Sequence, residues 1–482
     1  MARAKQTGIA LAAALLIAGL TTGSAAAAPT TTTCGGTNAV TTLTGSVGDA
    51  GDTYMIQCPA GTWNGTLFLF SHGYVVPGTP KNPATDASDQ PTATWLLDNG
   101  YALAGSSYGT EGWAVASALS DQIATLNFFA ATYGQPSHTI AWGQSLGGMI
   151  TAGLIQDDPG RFSAALPECG VLSGGVATWN TALDAEFAFQ QLIDPSVKVV
   201  NIPTSPSTAP ASNLAGAETA AAIAQGSLQG RARLALVAAL GDTPGWFTPG
   251  SPEPGPTDYT DQEQNQFDWA SEVTFPFVFD FRADLETKAG GNPSWNTGVN
   301  YFADLAKSAD LKEVVALYKE AGLSLTKDLQ TLNSAPRISA DPSAVAYLAR
   351  NVAYNGEISV PVLTMHTIGD GLVVPENEQA YRAVVDRAGH GNLLRQLFVA
   401  RAGHCAFTPA EEITSIQVLL NRLATGHWNV PDPATLNTEA AALTGTGDNP
   451  APPAFASYNP PPYLRPYDLA PFFGGGPDRI VP

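Results

Sequence analysis

The chain has 482 residues, of which 44% are hydrophobic and 13% charged, and its formal net charge is −20. This length and apolar content allow one large domain with an inserted second one. So acidic a surface repels nucleic acids and anionic lipid headgroups, which excludes both as expected partners and leaves the oligomeric state open.

The N-terminus has the pattern of an export signal. Arg3 and Lys5 precede an uncharged apolar run at 8–20, and small residues follow before Pro29. This order is typical of a secretory signal peptide, and the run is too short to cross a bilayer. We predict that residues 1–28 are removed, that the mature protein is extracellular, and that it does not insert stably into a membrane.

Four cysteines follow this segment: Cys34, Cys58, Cys169 and Cys405. An even count in an exported chain favours two disulfides, for which three pairings are possible. Cys34 and Cys58 are close in sequence around a short β-like segment, so we favour Cys34–Cys58 together with Cys169–Cys405. Free buried thiols are the alternative. A zinc site is not expected, because no C-x-x-C or H-x-x-x-H spacing occurs.

Short apolar runs alternate with helical patterns in two parts of the chain. The predicted strands lie at 65–70, 101–107, 138–142, 162–166, 360–365 and 393–399. The predicted helices between them lie at 113–133, 146–157, 376–388 and 410–424. This alternation predicts an α/β fold, with a mostly parallel sheet covered by helices on both faces.

The region between these two parts is mainly helical in pattern, most clearly at 183–192, 220–240, 301–306 and 312–321. We predict four further segments besides the signal peptide: a core made of 29–173 and 355–425, a helical cap insertion at 174–354, and a Pro-rich tail at 426–482. The tail is either a packed strap or disordered. Its aromatic residues favour partial packing: Tyr458, Tyr463, Tyr467, Phe472 and Phe473.

The strongest chemical signal is the run from Gly143 to Gly147, GQSLG, which follows an apolar strand and precedes a helical pattern. Gly-x-Ser-x-Gly alone is a weak motif, but this strand–turn–helix setting is typical of a nucleophile elbow. Residues two before and two after the serine nearly touch there, so only very small side chains fit. We predict Ser145 as the nucleophile, with an ordinary glycine-rich turn as the alternative.

A serine hydroxyl needs a base, usually histidine, and an acid that orients this histidine. The base must follow a strand at the same sheet edge as Ser145. His404 meets this condition after the strand at 393–399, whereas His366 closes its strand early and is expected to pack under the acid loop. The other histidines fit the base less well: His72, His138, His390 and His427.

The acid should emerge between nucleophile and base in chain order. Asp370 does so, in the loop after the strand at 360–365, and the glycines beside it let this loop turn sharply. We predict that Asp370 orients His404. Glu168, at the end of an earlier strand, is the rival acid, and a turn or helix cap is the alternative role for Asp370.

The tetrahedral intermediate of ester cleavage carries an oxyanion, which one backbone N–H stabilises by about 3 kcal/mol. We predict one donor at Leu146, directly after the nucleophile. The second is predicted at Tyr74, because Gly73 before it permits close backbone approach. His72 is expected to brace this loop.

The order Ser145, Asp370, His404 and the surrounding motifs resemble the α/β-hydrolase superfamily. The matching stretches are FSHGY (70–74), GQSLGG (143–148), HTIGDGLVVP (366–375) and AGHCAF (402–407). The resemblance covers the predicted core and implies a serine nucleophile of the esterase or lipase kind, with no metal or organic cofactor. It also implies a cap where the helical insertion lies.

Cys405, beside His404, is similar to an arrangement in the secreted tannase and feruloyl-esterase branch, where a disulfide ties the catalytic loops together. Gln144 stands where that branch has cysteine. A Cys169–Cys405 link is therefore implied by analogy only. For the same reason, neither tannin nor ferulate is assigned as substrate.

The leading hypothesis is a carboxylic-ester hydrolase acting on small or medium esters. The second is a serine exopeptidase whose cap carboxylates bind a free amino terminus, with candidates Glu263, Asp268, Glu272 and Asp280. The third, a non-catalytic binding module, predicts a broken triad or a lost elbow glycine, and neither occurs. Six aromatics could line an acyl pocket or belong to the core: Trp113, Trp179, Phe187, Trp246, Trp269 and Phe275.

Overall fold

The computed structural model describes residues 33–48, 51–79, 83–202, 212–443 and 451–465. The predicted signal peptide and the aromatics Tyr467, Phe472 and Phe473 lie outside these residues. None of the helices formed by the described residues combines the length and apolar character needed to cross a bilayer.

Nine strands in the described residues form a single sheet. They are β1 (Thr41–Gly45), β2 (Tyr54–Cys58), β3 (Thr66–Ser71), β4 (Ala102–Ser106), β5 (His138–Gln144), β6 (Ala164–Glu168), β7 (Val362–Gly369), β8 (Leu394–Ala402) and β9 (Phe455–Ala456). Their spatial order is β1-β2-β4-β3-β5-β6-β7-β8-β9. The strands from β3 to β8 pair in parallel, and the edge strands are antiparallel. The parallel strands therefore end at one common edge.

Helices cover both faces of this sheet. The helices of the sheet-forming parts are α1 (Gln90–Asp98), α2 (Val115–Tyr133), α3 (Leu146–Asp157), α13 (Glu376–Arg387), α14 (Pro409–Thr425) and α15 (Pro433–Ala442). In β3, Leu67 and Leu69 enter the hydrophobic cluster that includes α2, α3 and α13. Phe68 and Phe70 point the other way, into the cluster with α1, α14 and α15. The α/β-hydrolase fold class is thus confirmed.

The chain between β6 and β7 is helical. It forms α4 (Gly175–Leu192), α5 (Asn213–Gln225), α6 (Leu228–Leu240), α7 (Tyr259–Trp269), α8 (Arg282–Ala289), α9 (Tyr301–Leu305), α10 (Leu311–Glu320), α11 (Leu325–Ser334) and α12 (Pro342–Val352). Two π-helical segments, Ala270–Thr274 and Phe277–Phe281, separate α7 from α8. Most of these helices share a hydrophobic cluster of their own.

Two local features differ from the sequence expectation. The helical pattern at 220–240 forms two helices, because Ser227 caps α6 by accepting a hydrogen bond from the Gly230 amide at 3.0 Å. Helix α1 was not predicted, since the Pro-rich stretch before it reads as loop. Asp89 caps α1 by accepting a hydrogen bond from the Thr92 amide at 2.7 Å.

Both favoured disulfides, Cys34–Cys58 and Cys169–Cys405, are present. The first joins the end of β2 to the segment before β1. Part of the C-terminal segment packs on the core, because Phe455 in β9 pairs with β8 and Tyr463 is buried. The described residues of the predicted tail thus form helix α15, which was not predicted and buries Leu436 in the core, followed by a packed strap at 451–465.

Arg401 joins several of these parts. Its guanidinium donates to both oxygens of Glu411, at 2.7 and 3.0 Å, and to the carbonyls of Ala406 and Pro452. Arg401→Met leaves Glu411 buried without its cation. We expect the free energy of unfolding, measured by urea denaturation, to fall by about 3–5 kcal/mol.

The matched control is Arg395→Met, on the same strand. Arg395 is exposed and contacts only carbonyls of its own strand region and the ring of Trp428. Its loss should change the free energy of unfolding by about 1 kcal/mol or less. Equal effects of the two substitutions would contradict the joining role of Arg401.

Candidate active site

Ser145 lies at the turn between β5 and α3, at the carboxyl edge of the parallel strands. Its backbone has φ 59° and ψ −122°, a conformation that residues other than glycine rarely adopt. Helix α3 begins with the next residue and directs its partial positive charge toward the serine. A strained residue held at a helix N-terminus is typical of a functional position.

The glycines of the turn are required by contact with the neighbouring strand. A Cβ on Gly147 would lie 1.8 Å from the carbonyl oxygen of Ser71, and a Cβ on Gly143 would lie 2.5 Å from the same oxygen and 2.6 Å from the Gly147 oxygen. Neither position can hold a larger side chain unless the backbone moves. The close approach expected from the motif is therefore present.

His404 lies between Ser145 and Asp370. Its Nε2 is 2.8 Å from Ser145 Oγ, and its Nδ1 is 2.7 Å from Asp370 Oδ2. An ionised carboxylate can only accept, so Nδ1 carries the hydrogen and the neutral ring leaves Nε2 free to accept from the serine hydroxyl. The structure thus brings together the three side chains that were predicted to form the triad.

Asp370 is fully buried at the end of β7. Its second oxygen, Oδ1, accepts hydrogen bonds from the amides of Leu372 and Val373, both at 3.0 Å. Burial raises the pKa of Asp370, but attraction to the His404 ring when that ring is protonated, together with hydrogen bonds from His366 and His404, outweighs burial and lowers this pKa to about 2. The carboxylate is therefore ionised throughout the neutral range.

His366 braces the acid loop from below, as expected. Its Nε2 is 2.7 Å from the Val373 carbonyl oxygen, and its Nδ1 is 3.2 Å from Glu378 Oε1. Burial lowers the pKa of His366, yet hydrogen bonds to Asp370 and Glu378 raise it to about 10. This histidine is therefore charged at neutral pH and helps to keep Asp370 ionised.

Glu168, the rival acid, does not meet His404. Its carboxylate accepts hydrogen bonds from Trp142 Nε1 at 2.9 Å and from Gln144 Nε2 at 3.1 Å. Burial raises the pKa of Glu168 to about 8, against the lowering effect of the hydrogen bonds from Trp142 and Gln144. The geometry favours Asp370 over Glu168 as the partner of the imidazole.

The loop that carries His404 is fixed by a covalent bond to the strand beside Ser145. Cys405 is joined to Cys169, with the two Cα atoms 5.4 Å apart. Cys169 directly follows Glu168, whose carbonyl accepts the Ser145 amide at 3.0 Å. The bond therefore connects the histidine loop to Cys169, the residue next to the one that supports the turn of the serine.

Hydrogen bonds also connect the histidine loop to the acid loop. Thr367 Oγ1 donates to the Gly403 carbonyl at 2.7 Å, and the Gly403 amide donates to the Gly369 carbonyl at 3.1 Å. Gly403 has φ 106°, a conformation that favours glycine. The loops that carry Asp370 and His404 are thus joined by two hydrogen bonds.

The loop after β3 passes close to Ser145. A Cβ on Gly73 would lie 3.4 Å from Ser145 Cβ. His72 Nδ1 bonds the Gly73 carbonyl at 2.7 Å, and its ring stacks on Tyr108 at 3.9 Å. His72 therefore braces this loop, and Tyr74, the predicted second oxyanion donor, follows Gly73 on the wall of the cavity.

A mainly apolar cavity of about 410 Å³ opens above Ser145 and His404. Three of the six aromatics considered from the sequence line it: Trp113, Trp179 and Phe275. Trp246 and Trp269 instead pack against the acid loop, where a Cβ on Gly371 would lie 2.4 Å from the Trp269 ring. Phe187 stacks on Tyr301 within the helical region.

Several lining residues were not predicted. The π-helical segments contribute Phe277 and Phe279, the C-terminal strap contributes Tyr463, and α4 contributes Glu186. None of the four acidic residues proposed for binding an amino terminus lines the cavity, and Glu263 instead pairs with Arg231 at 2.5 Å. Of these lining residues, only Glu186 could have been recognised in the sequence, because it lies among apolar residues at helical spacing in α4.

In the described residues, one group of histidine, cysteine and acidic side chains is compact enough to hold a metal ion: Cys169, His404 and Cys405. Its two sulfurs are joined in the disulfide, so they are not available as thiolate ligands. This group therefore belongs to the triad region and not to a metal site.

The elbow geometry predicts the effect of adding one methyl group. Gly147→Ala should lower the free energy of unfolding by about 3 kcal/mol or more, measured by thermal unfolding, because the new Cβ meets the Ser71 backbone. Gly160→Ala is the control, since nothing lies within 4 Å of its Cβ, and it should change stability by about 1 kcal/mol or less. Unchanged stability of Gly147→Ala would contradict the turn geometry.

Comparison with known proteins places this geometry in a family. Residues 49–388 match the tannase-like family of unknown function, DUF6351. The o-phthalyl amidase of Xanthobacter agilis is 30% identical over 435 residues, covering 84% of this chain and 93% of that protein.

Among solved structures, a ligand-bound form of the rice cell wall degrading esterase LipA from Xanthomonas oryzae is 15% identical, with a TM-score of 0.39 over 80% of this chain and 90% of that one. Feruloyl esterase B from Aspergillus oryzae is 13% identical, with a TM-score of 0.39 over 80% of this chain and 81% of that one. By the family match and the 30% identical relative, this chain is a hydrolase of the α/β-hydrolase fold and belongs to the tannase-like family DUF6351.

Proposed function

We propose that the protein is a secreted serine hydrolase that cleaves carboxylic esters through an acyl-enzyme on Ser145. The observation that carries this proposal is the position of the His404 ring, 2.8 Å from Ser145 Oγ and 2.7 Å from Asp370 Oδ2. This is the arrangement that a serine needs in order to lose its proton as it attacks.

In the proposed first half-reaction, Ser145 Oγ attacks the ester carbonyl carbon while its proton passes to His404 Nε2. Asp370 stabilises the imidazolium that forms and holds the ring in position. The imidazolium then donates the proton to the leaving oxygen, the C–O bond breaks, and the alcohol departs. The acyl group remains on Ser145.

In the second half-reaction, water attacks the acyl carbon and gives one proton to His404 Nε2. The bond to Ser145 Oγ breaks, and the serine regains the proton from the ring. The carboxylic acid then leaves, and the starting state is restored. No group outside the triad and water is needed for the proton balance.

Two backbone amides are proposed to stabilise the oxyanion. The Leu146 N–H has no partner within α3, because the first amides of a helix have no acceptor in the preceding turn. The Tyr74 N–H is in the loop that Gly73 brings against Ser145. Each such donor contributes about 3 kcal/mol to transition-state binding.

Export, cap and substrate size belong to the same proposal. Two disulfides are typical of an oxidising compartment, which agrees with removal of residues 1–28 and an extracellular location. The segment 174–354 is proposed as a cap, because its helices contribute much of the wall of the cavity over Ser145. A cavity of about 410 Å³ suits small or medium esters.

Amide cleavage is the second candidate, since the relative at 30% identity is named an amidase. The steps are the same, except that the leaving group is an amine. An exopeptidase is one form of this candidate.

The nucleophile is tested by Ser145→Ala. We expect loss of labelling by a fluorophosphonate and a drop in turnover of about 10⁵-fold or more, with unchanged thermal unfolding. Matched 4-nitrophenyl esters and 4-nitroanilides of acetate and phthalate separate ester from amide cleavage, and the ester of each pair should react faster. Persistent labelling of the variant would mean that another residue is the nucleophile.

The role of Asp370 is tested by two substitutions that each replace a carboxylate with its amide. Asp370→Asn should lower kcat by about 10⁴-fold, because it removes the acceptor that fixes the ring tautomer of His404. Glu168→Gln should keep kcat within about tenfold, since Glu168 contacts Trp142 and Gln144 and not the imidazole. A larger loss in Glu168→Gln than in Asp370→Asn would show that the acid is misassigned.

A further inference from the structure

The residues that line the cavity above Ser145 include buried polar atoms that make no hydrogen bond within the described residues. In the described residues, the indole nitrogens of Trp113 and Trp179 and both carboxylate oxygens of Glu186 are buried without a hydrogen-bond partner. All three residues line this cavity. Buried polar groups are normally paired, so their clustering on one wall points to a ligand that pairs them.

Glu186 faces the cavity as part of a helical stripe. Trp179, Ala182, Glu186 and Phe189 follow one another at helical spacing along α4, and all four line the cavity. The Glu186 side chain is 2% exposed. Glu186 thus places a carboxylate at a position where an apolar side chain would continue the apolar wall.

Glu186 forms an ion pair with Arg282 but no hydrogen bond, and Arg282 Nη1 itself has no hydrogen-bond partner among the described residues. Arg282 Nη1 lies 3.8 Å from Glu186 Oε1, beyond hydrogen-bond distance. Arg282 bonds instead to Glu286 through Nε, at 3.0 Å, and to Asn292 through Nη2, at 3.0 Å. Burial raises the pKa of Glu186 to about 8, against the lowering effect of Arg282.

Other buried glutamates of the helical region are better satisfied. Glu286 accepts from the amides of Asn201 and Ile202 as well as from Arg282. Glu263 accepts from Arg231 at 2.6 Å. Among the buried carboxylates of the described residues, Glu186 is the one with both oxygens unpartnered. Its ion pair with Arg282 therefore leaves both of its oxygens without a hydrogen-bond donor.

The charges on the wall select the kind of group that can bind. No lysine or arginine is among the described residues that line the cavity, where His404 is the basic side chain. A substrate carboxylate placed beside Glu186 would meet a like charge or an acid, and the cation next to Glu186, Arg282, is already paired with Glu186 and Glu286. A hydroxyl or an amine would supply the hydrogen that the carboxylate lacks.

We infer that Glu186 is a specificity-determining residue, which accepts a hydrogen bond from a hydroxyl or primary amine on the apolar part of the substrate that fills the cavity. This inference rests on the proposed function, because it assigns Glu186 to the substrate of Ser145. The shared chemistry is a hydrogen-bond donor carried by an aromatic or aliphatic body. The indole N–H groups of Trp113 and Trp179 then serve acceptor atoms of the same molecule.

The test uses 4-nitrophenyl phenylacetates whose ring carries a hydroxyl, aminomethyl, methyl or carboxylate group at the meta or para position. In the wild-type protein, kcat/KM for the best hydroxyl or aminomethyl ester should exceed that of its methyl counterpart by about tenfold or more. Glu186→Met, which keeps the length of the side chain, should reduce this ratio to about threefold or less. Preference for the methyl or carboxylate ester, or an unchanged ratio in Glu186→Met, would overturn the inference.

Two further variants make the result specific. Glu186→Gln keeps an acceptor oxygen without the charge, so it should retain a preference for the hydroxyl ester and lose one for the aminomethyl ester. Glu263→Gln changes a buried glutamate away from the cavity and should leave the ratios as in the wild type. Thermal unfolding shows whether Glu186→Met folds. If it does not, the ratio of kcat/KM for the aminomethyl ester to kcat/KM for the methyl ester in Glu186→Gln tests recognition of an amine. Recognition of a hydroxyl is then tested by calorimetric binding.

A calorimetric binding experiment separates failure of this inference from failure of the proposed function. The corresponding phenylacetamides are titrated calorimetrically into Ser145→Ala protein, with and without Glu186→Gln or Glu186→Met. About tenfold tighter binding of the hydroxyl or aminomethyl compound than of the methyl compound supports the inference even if no ester is turned over. Equal binding of the methyl compound overturns it even if esters are cleaved.

Discussion

The ring of His404 is held between a hydroxyl and a buried carboxylate, and the rest of the site depends on this placement. The imidazole comes from a loop after β8, the serine from the end of β5, and the acid from the end of β7. Because parallel strands end at one edge, the sheet brings these distant segments within hydrogen-bond distance. The loop of His404 is then fixed by a disulfide to Cys169 and by hydrogen bonds through Gly403.

Gln144, the residue before Ser145, supports the turn of the serine in this chain. Gln144 Nε2 donates to Glu168 at 3.1 Å and to Glu412 at 2.7 Å, which ties the end of β5 to β6 and α14. The disulfide to Cys405 starts from the next strand, at Cys169, one residue beyond Glu168. The turn is thus supported by the hydrogen bonds of Gln144 at the end of β5 and by the disulfide of Cys169 just after β6.

Local rules explain why the fold and the proximity of Ser145, Asp370 and His404 could be predicted. The positions of Gly143 and Gly147 follow from one tight turn, and Asp370 and His404 follow strands whose apolar runs are easily recognised. The cavity wall could not be predicted in this way, because it depends on how helices far apart in sequence pack. Glu186 belongs to that wall, and Trp246 and Trp269 do not.

The central claim is that a substrate acyl group is transferred to Ser145. The most direct measurement combines stopped-flow detection of nitrophenolate from 4-nitrophenyl acetate with peptide mass mapping of the acid-quenched protein. We expect a burst of about one nitrophenolate per chain, and an acetyl adduct on the peptide that contains Ser145. An adduct on another residue, or turnover with neither burst nor adduct under conditions where deacylation is slow, would contradict it.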